Sequence, residues 1–399
     1  MVNSDRVNEL KAHKHIIFAF DHYNTLGALR SLAEVGINAI MILYGERTKI
    51  VDSSRYLTTF HKVKTVQEGY DLLLRKYGKE PIKPFLYSCD DFVESYLDEH
   101  CSELKEKFYF FCGGWGKNGI VTYYMNKETI SQLAVECGAK VPKTEKLKRG
   151  QLPTTLRYPV ITKALMSIKG GWKNDVFICK NEEELKKAYG KIQSEDLLIE
   201  EYIQKKNELC LDGFSINNGT DVCIPYQTTY IRVASGKYGN YMTLEPFSNQ
   251  VVYEQVKQML HKVGFSGIFS VEFLIDQNDE LYFLEINFRN STWSYAFTYG
   301  GVNLLYEWSK SMLSGKIDNN SMNYRKKPFT AMVETKDFED FVLTGNISFF
   351  KWIKDLRSCD CLFYYHKSDK KPAFIAWECA LKIKVARLLG KLKSMFRVL

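Results

Sequence analysis

The sequence predicts an α/β protein: a Rossmann-like N-terminal unit, then a larger two-lobed domain of mixed strands and helices, then a helical C-terminal tail. Three stretches carry this expectation. Residues 15–44 run as an apolar strand, an amphipathic helix and a second apolar strand, the βαβ opening of a parallel sheet. Residues 270–289, SVEFLIDQNDELYFLEINFR, read as two strands joined by a tight turn. Residues 380–399 carry a helical apolar stripe among basic side chains.

Length and composition bound the answer. A chain of 399 residues can bury a large core and divides into two or three domains. Its 55 basic and 47 acidic residues leave a formal charge of +8, which favours nucleotides, acidic metabolites or an anionic membrane surface; no nucleic-acid partner is expected. Of the ten cysteines only Cys359 and Cys361 lie close, too near each other for a zinc knuckle, so all read as reduced thiols. The N-terminus has no signal-like apolar segment, and no run of about 18 apolar residues is present, so the chain is expected in the cytoplasm.

In the first unit, the strand 15–20 ends at Asp21. A helix follows through Leu26, Leu29, Leu32 and Val35, stopped by Gly36 ahead of a strand at 39–44. The first turn lacks G-x-G-x-x-G, which argues against a dinucleotide and leaves Asp21 as a polar contact for substrate at a strand end. A strand at 84–88 leads to Asp90 and Asp91 and a helix from Phe92 to about Leu104. The two aspartates either touch substrate or cap and charge that helix. Residues 108–111 read as a last strand, and Gly113-Gly114 closes a first domain of residues 1–112.

Farther on, Asn126 is an N-cap for a helix through Ile130, Leu133 and Ala134 that Gly138 ends. Lys127 falls in its first turn, where a cation opposes the helix dipole unless an anion is bound beside it. Residues 159–163, PVITK, form a strand that presents Lys163. Lys169 and its neighbouring glycines read either as an ordinary connection or as a lid whose backbone N–H groups approach phosphate. Residues 197–203, LLIEEYI, are a strand turning acidic, and Asn218-Gly219 turns a hairpin between 209–216 and 222–224. The polar, aromatic run 226–244 is expected as a loop in which Arg232 lines a second substrate, or else as plain surface. Helices at 251–261 and 302–313 flank the 270–289 hairpin.

In that hairpin, alternation places Glu272, Leu274 and Asp276 on one face, and Phe283, Glu285, Asn287 and Arg289 on one face. With Asn278-Asp279 as a two-residue loop, Glu272 stands opposite Glu285, with Cβ atoms about 5 Å apart. Like charges so placed repel, and a divalent cation between them reverses the sign. Mg²⁺ suits hard oxygen ligands and is usually held by one or two carboxylates plus substrate phosphates, with Asn287 adding an amide oxygen. Arg289 is placed to neutralise phosphate. The alternative is an ordinary hairpin whose glutamates face water.

Taken together, M-N-K at 125–127, PVITK, LLIEEYI, Glu208 and the ordered E…E-x-N-x-R set resemble the ATP-grasp superfamily, of the carboxylate-amine ligase type that includes the large chain of carbamoyl-phosphate synthase and D-aspartate ligase. The likeness runs from about residue 15 to 313. It implies a pre-ATP-grasp domain at 1–112 and an ATP-grasp domain at 113–320, with an ATP lid lobe at about 123–203 and a large lobe at about 204–320. An extension at 321–399 follows, ending in a basic amphipathic helix at 380–399. It further implies that Lys127, Lys163 and Lys169 contact ATP. Glu200, Glu201 and Ile203 would line the adenine, and Glu208 would accept from the ribose hydroxyls. Glu272, Glu285 and Asn287 would hold Mg²⁺ or Mn²⁺, and Lys163 and Arg289 would be catalytic. The implied activity is activation of a small carboxylate as an acyl phosphate by MgATP, then transfer to an amine. Competing readings are a silent ATP-binding regulatory or scaffold protein and a phosphotransferase that stops at phosphorylation. Family members also suggest a homodimer through the first domain. The tail, with Leu381, Val385, Leu388 and Leu392 flanked by Lys382, Lys384, Arg387 and Lys391, either lies on the inner face of an anionic membrane or docks on its own domain.

Overall fold

Four short strands pair in parallel to open the fold of the computed structural model, which describes residues 8–46, 49–165, 172–233 and 238–382. They are β1 (His15–Phe20), β2 (Ile40–Tyr44), β3 (Thr59–Val63) and β4 (Phe85–Ser88), in the order β3-β2-β1-β4. β1, β2 and β4 are nearly continuous in apolar residues because helices cover both faces of a parallel sheet. The edge strand β3, TFHKV, and the helix Val66–Tyr77 after it went unanticipated, since most of β3 is exposed and its apolar signal is thin. Residues 108–111, expected as a strand, make no ladder: Tyr109 forms one bridge to Phe85, and Cys112 one to Ser266. The helix expected from 92 to 104 breaks at His100 into Asp91–Glu99 and Cys101–Leu104.

A second, antiparallel sheet contains β5 (Thr144–Lys148), β6 (Val160–Ala164), β7 (Ile178–Cys179) and β8 (Asp196–Glu201) in the order β5-β8-β6-β7. Its own small core of Val160, Leu197 and Ile199 is closed by Leu185 and Ala188 of the helix Glu182–Tyr189.

The third sheet has seven strands: β9 (Lys205–Ile216), β10 (Asp221–Tyr230), β11 (Tyr241–Pro246), β12 (Gly267–Asp276), β13 (Leu281–Asn287), β14 (Phe329–Met332) and β15 (Cys361–Leu362). Their order is β13-β12-β9-β10-β11-β14-β15, antiparallel except for the last pair. Much of the expected loop 226–244 is therefore strand. β10 runs on to Tyr230 because Tyr226, Thr228 and Tyr230 alternate into the interior, and β11 returns from Tyr241. Between β9 and β10, Asn217, Asn218 and Gly219 all take positive φ (52°, 55° and 80°). A side chain at Gly219 would meet the Leu260 backbone at 2.4 Å, so glycine is required there. Residues past 321 contribute β14 and β15 to this sheet.

The first and third sheets share one core. Trp308, on the helix Leu304–Ser314, is fully buried and packs edge-on against Phe85, Tyr87 and Phe111. Buried Arg30 pairs with Asp369 at 3.0 Å and donates to the carbonyls of Phe363 and Tyr364 at 2.9 Å, fastening the C-terminal segment to the first unit. All ten cysteines are free thiols, and seven are buried. Lys169 and residues 383–399, which hold most of the basic amphipathic stretch, lie outside the described residues. Among the described residues no helix is long and apolar enough to cross a membrane.

Candidate functional site

The β12–β13 hairpin does set Glu272 opposite Glu285, but by a different route from the one expected. The turn has three residues, 277–279, with Asp279 left-handed at φ 64°; the Asp276 amide donates to the Glu280 carbonyl at 3.0 Å. That shifts the pairing by one, so that Ile275 faces Leu281 and Phe273 faces Phe283. A bulge between Glu272 and Phe273 leaves Leu284 unpaired and shifts it back. Phe283 consequently stands beside Phe273 in the core, ring centroids 5.8 Å apart, and not on the carboxylate face where alternation had placed it.

On the carboxylate face, the Asn287 amide donates to Glu272 Oε1 at 3.2 Å and reaches Glu285 Oε1 at 3.5 Å. Burial, together with Glu285 opposite, pushes the Glu272 carboxyl up to about 8. Lys127, whose ammonium donates to Glu285 Oε2, holds the Glu285 carboxyl down to about 2. Burial opposes the Lys127 charge, but Glu285, Glu200 and Glu272 outweigh it and raise its pKa. Two opposed carboxylates, one of them pushed up by burial and by its neighbour, fit a hard divalent cation, whose charge would let both ionise. Among the described residues no cluster of three or more His, Cys, Asp or Glu side chains offers another metal centre.

The lysines arrive from the second sheet and the helix beside it. Asn126 caps the helix Lys127–Glu136 as expected, accepting from the Glu128 amide at 2.9 Å. The Lys127 amide donates to the Leu165 carbonyl at 2.9 Å, just past β6, which joins this helix start to the strand carrying Lys163. Lys163 Nζ lies 2.5 Å from buried Glu200, and Lys205 Nζ 2.6 Å from Glu208. Burial raises the Glu208 carboxyl, with Glu285 adding to it and Lys205 and Lys163 opposing, so the Glu208 end of β9 is electrostatically continuous with the Glu272–Glu285 pair. Glu201, the last residue of β8, and Ile203 just past it are half-buried; Glu201 accepts from the Arg157 amide at 3.4 Å.

The first sheet closes the other end. Arg289 Nε donates to Asp91 Oδ1 at 2.6 Å, and Nη2 to Asn287 Oδ1 at 3.0 Å. Next to it, the Asn290 backbone amide donates to the Ser88 carbonyl, the Asn290 side-chain amide donates to Asn24 Oδ1, and the Asn24 side-chain amide donates to the Asn290 carbonyl. Asp91, Tyr124, Lys127, Glu285 and Asn287 line one small cavity. The sequence leaves Asp91 open between a substrate contact and a helix charge; its strand-end position is the signal for the former.

Three nominated substrate contacts have partners of their own within the fold. Asp21 accepts from the amides of Val51 and Ile50, at 2.8 and 3.2 Å, and fixes the turn there. Asp90 is the N-cap, accepting from the Val93 amide at 3.0 Å and the Tyr44 hydroxyl at 3.1 Å, and burial raises its carboxyl to about 6. Arg232 is held by Asp337 and Asp355 (2.5 and 2.6 Å), over the rings of Tyr241 and Phe341.

Residues 132–292 match the family model described as the ATP-grasp domain. Among curated proteins, the chain is 24% identical over 255 residues to D-aspartate ligase of Enterococcus faecium (strain Aus0004), covering 58% of this chain and 59% of that protein. It is 28% identical over 228 residues to N5-carboxyaminoimidazole ribonucleotide synthase of Staphylococcus aureus (strain COL), covering 55% and 59%. The matched part thus spans about three fifths of these curated relatives. Crystal structures of N5-carboxyaminoimidazole synthetase from Staphylococcus aureus, one complexed with ADP, superpose with TM-scores of 0.63 and 0.62 at 18% identity, covering 84% of this chain and 86% of theirs. The architecture of three sheets is the ATP-grasp fold.

Proposed function

We propose that this chain, which carries an ATP-grasp domain, is an ATP-dependent ligase that activates a carboxylate as an acyl phosphate and transfers the acyl group to an amine. The observation that carries the reading is the pair Glu272 and Glu285, opposed across two strands with Asn287 between them and Lys127 alongside. The ligase and synthase names of the relatives support it.

The physical problem of such a reaction is charge, since an anionic carboxylate must attack an anionic γ-phosphoryl group. Glu272, Glu285 and Asn287 would hold Mg²⁺, or Mn²⁺, which supplies Lewis-acid neutralisation of the phosphate oxygens. Lys127 and Lys163 add positive charge from the side of the second sheet, and Arg289 adds it from the end of β13. Glu208, an acceptor with two oxygens, suits the adjacent hydroxyls of a ribose, and Glu200, Glu201 and Ile203 line the base. Lys169 joins the phosphate contacts on the sequence pattern, as does membrane contact by residues 380–399; cosedimentation of the full chain with phosphatidylglycerol against phosphatidylcholine vesicles tests the latter. A homodimer is tested by light scattering.

The deciding experiment measures ADP release from MgATP over a panel of amino acids and small carboxylates, with hydroxylamine present to trap an acyl phosphate and Glu285→Gln as control. A hydroxamate that requires one acid and vanishes in the control is expected. ADP release with a stable phosphorylated product would make the protein a phosphotransferase, and nucleotide binding without turnover would favour a regulatory role.

A further inference from the structure

We infer that Asp91 is a positioning residue for Arg289, so that the parallel-sheet unit sets the geometry with which the hairpin's arginine meets phosphate. The inference rests on the proposed reading of Arg289 as a phosphate contact. A guanidinium has five N–H donors in a rigid fork. Here Nε is bound to Asp91 at 2.6 Å, Nη2 to Asn287 at 3.0 Å and Nη1 to the Asn290 carbonyl at 3.4 Å. One N–H on each terminal nitrogen is left over, the pair of donors that grips two oxygens of one phosphate.

The three anchors do different things. Asn287 and Asn290 are Arg289's own neighbours in the chain and fix only where its terminal nitrogens lie. Asp91 takes Nε, at the root of the fork, and so fixes its plane. The pair is well shielded, with side chains 16% and 21% exposed, and Asp91 faces the same cavity as Lys127, Glu285 and Asn287. It is not a solvated surface charge. A carboxylate is also well placed electrostatically in the first turn of the helix Asp91–Glu99. The bonds between Asn290 and both Asn24 and Ser88 hold the two elements together independently of the ion pair, so removing the Asp91 charge releases the guanidinium and leaves the interface standing.

The test uses full-length protein and calorimetric titration with Mg²⁺ plus either ADP or the non-hydrolysable β,γ-imido analogue of ATP. In Asp91→Asn, the wild-type preference for the analogue over ADP is expected to fall about tenfold with ADP affinity nearly unchanged. Asp91→Glu should recover part of it. In an Arg289→Lys background, Asp91→Asn should cost nothing more, because the two act as one unit. An Asp91→Asn protein that melts earlier but keeps its preference would make the contact a plain interface ion pair and overturn the inference, as would additive losses in the double variant. An Arg289→Lys protein with unchanged preference would instead overturn the reading of Arg289, and the inference with it.

Discussion

Arg232 and Arg289 both project from the large sheet and both meet carboxylates supplied by another part of the chain, yet their surroundings could hardly differ more. Arg232 bonds Asp337 through Nε and Nη2 and Asp355 through Nη1, lies over the rings of Tyr241 and Phe341, and shares Asp337 with the Trp352 indole. Lys351 completes the balance at Asp355. Every charge there has its counter-charge, and the cluster is a brace. Around Arg289, Glu272 and Glu285 face each other across the hairpin, and their carboxyls are driven to about 8 and about 2. A half-buried network that remains electrostatically frustrated is a candidate for completion by a ligand.

The comparison can be broken most forcefully at the brace. Asp337→Ala should cost about 3–5 kcal/mol, because it removes the fully buried carboxylate that the largely shielded Arg232 and the Trp352 indole share. Urea denaturation reads that loss, and MgATP affinity extrapolated to the folded protein should not move. A drop in nucleotide affinity at unchanged stability would erase the distinction between the two arginines.

Glu285→Gln should do the reverse, lowering turnover about 10²–10³-fold with little change in the urea midpoint, the size expected for one lost electrostatic contact to the reacting group.

The frustrated pair also has a pH signature. Glu272 is raised from 4.5 to about 8, so the folded chain keeps a proton that the unfolded chain has released between those values. Its stabilising contribution is complete below about 4.5 and is lost as pH rises through about 8. Glu285, lowered to about 2, contributes above 4.5 and loses that contribution as pH falls through about 2. Metal-free protein should therefore lose up to about 1.4 kcal/mol per pH unit on this account between the two Glu272 values. Glu272→Gln should flatten the slope, and Mg²⁺ binding near neutral pH should release a proton, measured by titration in buffers of different ionisation enthalpy. No comparable slope is expected from the brace.

The smallest effect belongs to the nucleotide end: Glu208→Gln should weaken ATP by about fivefold and 2′-deoxy-ATP less, the loss of one hydroxyl contact. Equal losses for both nucleotides would separate Glu208 from the ribose.

Local pattern made much of this legible. The strand carrying Lys163, the cap at Asn126 and the facing glutamates all depend on spacings of a few residues. The hairpin nevertheless reached its register by two offsets that cancel, a longer turn and a bulge, because a bulge is stabilised by what packs against it. The core position of Phe283 beside Phe273 belongs to the fold and not to the alternation of residues.

The sequence by itself determined which residues could share a strand face or a helix turn, such as Glu272, Glu285 and Asn287, and its resemblance to the ATP-grasp superfamily, not periodicity, brought Lys127, Lys163 and Glu208 into the same expected site. Only the tertiary structure decided that Arg289 meets Asp91, 198 residues away, and that Arg232 is consumed by Asp337, 105 residues away. Periodicity extends over a turn of helix or a pair of strands. The partner of a long cationic side chain is set by which elements the shared core brings together.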